Sequence, residues 1–231
     1  MKRPVVVLQY DLTEQTSLAF GEQLAAGFNY DLHSLTIGDK TEDNVVRLGD
    51  VADVVEQLDA SLLVVELANK LSVQTYLDAF RALRIPYLFV RAGQKPNFEK
   101  VALPISFLIE DKEKGPFAAA FGRFFKSQLV IFQPKDYGTK ALQNIDAIKT
   151  LLDSFQLNYE VRKASKDSNG VEREAANWAA SGEAGLVLVS ASREYGLDDL
   201  LFGSKERKMI TRTNVPIMLI NPRGDLYTLC D

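Results

Sequence analysis

Ala184-Gly185-Leu186-Val187-Leu188-Val189 repeats Ala60-Ser61-Leu62-Leu63-Val64-Val65. Each is an apolar run of the length and composition of a buried strand. Further on, Asn214-Val215-Pro216-Ile217-Met218-Leu219-Ile220 repeats Arg84-Ile85-Pro86-Tyr87-Leu88-Phe89-Val90. Earlier, Val101-Ala102-Leu103-Pro104-Ile105-Ser106 answers Val6-Val7-Leu8-Gln9-Tyr10-Asp11. Three matching segments in the same order mean two copies of one α/β domain.

The segments between these runs read as helices. In the first copy a strand from Pro4 to Tyr10 precedes a helix carrying Leu18, Ala19, Leu24 and Ala25. Leu32 to Ile37 alternates as a strand, and Val45 to Leu58 reads as helix. Leu62 to Val65 is a buried strand. Val73, Tyr76, Leu77, Phe80 and Leu83 recur at helical spacing before the last strand, Pro86 to Val90. Short apolar strands alternating with amphipathic helices specify a parallel sheet covered on both faces. The second copy adds a helix face of Phe117, Ala120, Phe121 and Phe124. A second one carries Ala141, Leu142, Ile145, Ile148, Leu151, Leu152 and Phe155.

The offset between copies is 95 residues at Val6 and Val101, 124 at Ala60 and Ala184, and 130 at Pro86 and Pro216. The first copy is therefore short by 29 residues before its Leu62 strand, about one helix and one strand. The expected division is a reduced first domain over 1–93, a linker over 94–99, a full second domain over 100–222 and a tail over 223–231. The expected fold class is two tandem doubly wound parallel-sheet domains, Rossmann-like, the first one trimmed.

Composition narrows the function. Apolar residues are 46% and charged residues 25% of 231, ordinary for a globular protein. The net charge of −4 argues against a nucleic-acid binder. No apolar run reaches bilayer length. Met1-Lys2-Arg3-Pro4 leads straight into a strand, without a signal-peptide pattern. The one cysteine, Cys230, permits no intrachain disulfide. A cytoplasmic location without membrane or nucleic-acid partner is the expectation. There is no Walker A sequence, no G-x-G-x-x-G after the first strand, no paired metal-ligand spacing and no nucleophile elbow.

Leu200-Leu201-Phe202-Gly203-Ser204 and Val215-Pro216-Ile217-Met218-Leu219-Ile220, set in a duplicated domain of this shape, resemble a tandem universal stress protein. The resemblance implies a five-stranded sheet in the order 3-2-1-4-5. It also implies a nucleotide site at the strand ends, built on G-x2-G-x9-G-[ST] after the fourth strand and an Asp ending the first. Glycines there admit backbone N–H groups to phosphate, and the Gly-Ser pair opens a helix whose N-terminus favours an anion. In the second copy the positions fall on Ser190, Arg193, Gly203 and Ser204, with Ser106 at the Asp position and Glu206 at a later hydroxyl position. The spacing is kept and two glycines are gone. Lys205, Arg207 and Lys208 stand nearby. Gly203-Ser204 also has a plain reading as a turn and helix cap. The first copy keeps Asp11 and Thr13 but carries Glu66 and Asn69 at the glycine positions, which makes it the structural half.

The resemblance thus implies a non-catalytic stress-response protein acting through an unidentified protein partner, with a degenerate nucleotide site and no cofactor. ATP or AMP held by Ser106, Ser190, Arg193, Gly203 and Ser204 is the alternative, and a nucleotide hydrolase on the same fold a second one. It further implies an intrachain pseudo-dimer of the two domains in a monomer or weak homodimer.

Overall fold

A computed structural model of the chain describes residues 3–9, 16–38, 44–67, 72–81, 83–136, 138–191 and 205–220. They form two compact units. One takes the described residues up to 96 together with 205–216; the other takes 97–191 and 217–220.

The first unit contains β1 (Pro4–Gln9), α1 (Thr16–Phe28), β2 (Asp31–Ile37), β3 (Val45–Val46), α2 (Val51–Gln57), β4 (Leu62–Leu67), α3 (Val73–Ala79) and β5 (Tyr87–Arg91). These strands are parallel, in the order β3-β2-β1-β4-β5. Val5, Val6, Val7 and Leu8 of the central β1 have no exposed surface, which accounts for their unbroken apolar run. Helix α1 lies against this strand at Gly21, where a Cβ would come 2.2 Å from Val7 Cγ2. Tyr76, Phe80, Tyr87 and Phe89 pack as one aromatic cluster beneath α3.

The second unit contains β6 (Lys100–Pro104), a 3-10 turn (Ile109–Glu113), α4 (Lys114–Phe124), β7 (Gln128–Gln133), α5 (Lys140–Ser154), β8 (Tyr159–Lys163), α6 (Val171–Trp178), β9 (Leu186–Ser190) and β10 (Ile217–Ile220). Its parallel order is β10-β9-β6-β7-β8. Strand β8 forms the outer edge and carries Glu160, Arg162 and Lys163, charges that discourage edge-to-edge pairing.

The same single hydrogen bonds recur within each unit. Ser61 N–H donates to Pro4 O, and Gly185 N–H donates to Lys100 O. Asp31 N–H donates to Arg3 O, and Gln128 N–H donates to Glu99 O. Val5 pairs with Leu62 as Val101 pairs with Leu186.

Three expectations are corrected. The first-strand offset is 96, Val5 to Val101, rather than 95. Strands buried on both faces show no alternation, so sequence alone leaves their register open by one residue. Asp11, read as the counterpart of Ser106, lies outside the described residues.

The first copy also does not lack a strand. Its counterpart of β8 is β3, cut to Val45–Val46, and the helical reading from Val45 gives way to a 3-10 turn at Leu48–Asp50 and α2. Only seven residues, 38–44, separate β2 from β3, against 25 between β7 and β8. Most of the length difference lies in that connection.

Finally, the compact units do not follow the expected boundary at 222. Helix α7 (Lys205–Arg212) groups with the first unit and packs on α3. Arg91 Nη2 donates to Ile210 O at 2.6 Å, placing a cation on the last turn of α7, and Gln94 Nε2 donates to Asn214 O at 2.6 Å. Gln94 also accepts from Arg91 N–H. The segment read as a linker thus begins with a residue fixed at both ends.

Candidate functional site

In a doubly wound sheet the ligand crevice opens at the carboxyl ends of the strands where the chain order reverses. In the second unit that point lies between β6 and β9. Ser106 follows β6 and Ser190 ends β9, so the structure brings these two predicted residues to one crevice. Arg193, Gly203 and Ser204 lie outside the described residues.

The two serines meet on a side chain of the chain itself. Ser106 N–H donates to Asp111 Oδ2 at 2.5 Å, and Ser190 Oγ donates to Asp111 Oδ1 at 2.6 Å. Lys114 Nζ lies 2.9 Å from Asp111 Oδ1 and donates to Pro104 O at 2.6 Å. A second carboxylate, Glu172 Oε1 on α6, lies 3.8 Å from Lys114 Nζ. Asp111 and Lys114 are both wholly buried. The 3-10 turn before α4 carries Asp111 inward, and Lys114 opens α4 one turn later.

The surrounding loop is pinned as well. Ser106 Oγ accepts from Leu108 N–H, and Asn144 Nδ2 donates to both Ser106 O and Leu108 O. Phe107 N–H donates to Ser168 Oγ. Ser168 in turn donates its N–H and its hydroxyl to the Asp136 carboxylate.

Burial pushes the Asp111 carboxyl up, but the Lys114 ammonium and the donors from Ser190 and Ser106 outweigh it and hold the pKa below its ordinary 3.8. Asp111 is thus an anion at neutral pH. A nucleotide phosphate entering here would meet Asp111 and Glu172 against one lysine that is already engaged.

The first unit solves the same place differently. Glu66 occupies in β4 the position that Ser190 occupies in β9. Its Oε2 accepts from Ser17 N–H at 3.0 Å, in the first turn of α1. Its backbone carbonyl accepts from the buried Tyr76 hydroxyl at 3.3 Å. Glu66 therefore sits where a helix N-terminus attracts an anion. Asp11, Thr13 and Asn69 lie outside the described residues. Glu206, read as a repellent to phosphate, is buried on α7 in the first unit.

Beside the second crevice lies an open depression of about 460 Å³ at the start of α5. It is lined by Phe107, Asp136, Gly138, Thr139, Lys140 and Ala141. Phe107, Leu108 and Ile109 are 44%, 46% and 69% exposed, three apolar residues in succession. Phe124, expected in the core, is 47% exposed, with the Arg123 guanidinium 5.4 Å from its ring centre.

Sequence reading missed Asp111 and Lys114. An acid and a base three apart in Ile109-Glu110-Asp111-Lys112-Glu113-Lys114 look like a solvated helix pair. Among the described residues no group of three or more His, Cys, Asp or Glu side chains is placed to hold a metal ion. No helix among them is long and apolar enough to cross a membrane.

No family model matches the chain, and no curated protein matches it. Solved structures do. A Pseudomonas aeruginosa protein named provisionally as a universal stress protein superposes with a TM-score of 0.67 at 11% identity, over 96% of this chain and 94% of that one. A universal stress protein from Archaeoglobus fulgidus gives 0.66 at 10%, over 96% and 97%. A functionally unknown protein from Pseudomonas aeruginosa gives 0.64 at 10%, over 96% and 93%. The fold of this chain is that of the universal stress proteins.

Proposed function

We propose that this chain is a non-catalytic stress-response protein that acts by binding another protein and takes no nucleotide. The observation that carries the reading is the buried Asp111–Lys114 pair, whose carboxylate takes the hydrogen bonds of Ser106 N–H and Ser190 Oγ. Glu66 on the first turn of α1 supports it in the other unit. The exposed Phe107-Leu108-Ile109 run, held outward by hydrogen bonds to its backbone, suits contact with a protein. A cytoplasmic monomer or weak homodimer fits this role.

Mass spectrometry of purified protein after denaturation tests the reading. Protein free of ATP, AMP and other nucleotides is the expected result. Stoichiometric co-purifying nucleotide would overturn it in favour of the ATP-binding alternative.

A further inference from the structure

Three donors meet the Asp111 carboxylate. They converge from three elements: a backbone N–H after β6, a hydroxyl at the end of β9 and an ammonium at the start of α4. They are directed at one carboxylate, with no exposed surface on it. In the first unit a carboxylate again sits at the crevice, delivered by a strand residue rather than a 3-10 turn. Two unrelated local structures bringing an acid to corresponding places point to the place, not to either turn, as the thing that takes an anion.

We propose that the crevice between β6 and β9 is an anion site with a built-in ligand, in which the Asp111 carboxylate holds the place of a small carboxylate or phosphate. Ser106 N–H, Ser190 Oγ and Lys114 Nζ are its receptor groups. When the Asp111 side chain is removed, those three donors face an empty space of acetate size and bind a free anion. The inference rests on the reading that the intact crevice takes no nucleotide.

The test uses the full chain and the variant Asp111→Gly. Formate, acetate and inorganic phosphate are each titrated against chloride at constant ionic strength, with thermal unfolding and calorimetry as readouts. Asp111→Gly is expected to melt below the wild type and to recover saturably with at least one of these anions. Phosphate alone, carboxylates alone or both would identify the class. The wild type is expected to show no such recovery, and Lys114→Met in the Asp111→Gly background is expected to abolish it. Equal effects on wild type and variant, or none on either, would overturn the proposal.

Asp111→Asn gives a reading that does not need the cavity. Losing one charge-assisted bond is expected to lower hydrogen-exchange protection of the Ser106 amide about tenfold. Unchanged protection would contradict the receptor role. Tight ATP binding by the wild type would refute the nucleotide-free reading, whereas absent anion recovery in Asp111→Gly would refute only this inference.

Discussion

At the scale of residues, the decisive feature is an ion pair with no access to water. A buried pair is costly to form and more costly to break from one side. Asp111→Ala takes the nearer carboxylate from the buried Lys114 and leaves it Pro104 O and Glu172, and it is expected to destabilise the chain by about 3–5 kcal/mol in denaturant unfolding. Replacing both, Asp111→Leu with Lys114→Met, is expected to cost less than Asp111→Ala, because no single buried charge is left behind, although Ser106 N–H and Ser190 Oγ lose their acceptor. A double variant weaker than Asp111→Ala would contradict this. The pH dependence has a definite sign. The folded Asp111 pKa lies below 3.8, so its contribution is complete above that value and is lost as pH falls from there through the folded pKa. Asp111→Asn is expected to flatten acid unfolding in that window and to leave the slope near neutrality unchanged. Ser106 and Ser190 were legible as crevice residues because the resemblance to universal stress proteins puts its nucleotide site at those two strand ends. Their partner was not, since nothing in a local acid–base pair tells a buried one from a solvated one.

At the scale of elements, close approach decides which positions tolerate change. Gly21 sits where α1 touches β1, and a side chain there meets Val7 Cγ2 at 2.2 Å and Leu32 Cδ1 at 2.9 Å. Gly21→Val is expected to cost about 1–3 kcal/mol by overpacking. Gly185 is tighter still, because its Cβ would meet the backbone oxygen of Asn97 at 2.1 Å, and backbone yields less than a side chain. Gly49 has nothing within 4 Å of a Cβ and no positive φ. Gly49→Ala is expected to be neutral or stabilising by up to about 1 kcal/mol, which makes it the control for thermal melting of Gly21→Val. Most strands were legible from their apolar runs and most helices from their period. Val45–Val46 was not, because two residues have no period and the following Leu48, Val51 and Val55 suggest a longer helix. The one-residue register error has the same kind of origin: Val5 to Leu8 and Val101 to Leu103 are buried on both faces and carry no alternation.

For the whole molecule, likeness at 10–11% identity over 96% of the chain means that the fold survives where the residues have changed. What it retains is the pattern of short buried strands and the crossing point between them. Carboxylates of the chain itself, Asp111 in one unit and Glu66 in the other, stand in the two crevices. The central claim is that these crevices are filled from within. Calorimetric titration of ATP and of AMP into the full wild-type chain tests it most directly. No saturable heat up to millimolar nucleotide is the predicted result. A low micromolar dissociation constant, weakened by Ser190→Ala or Ser106→Pro, would contradict it.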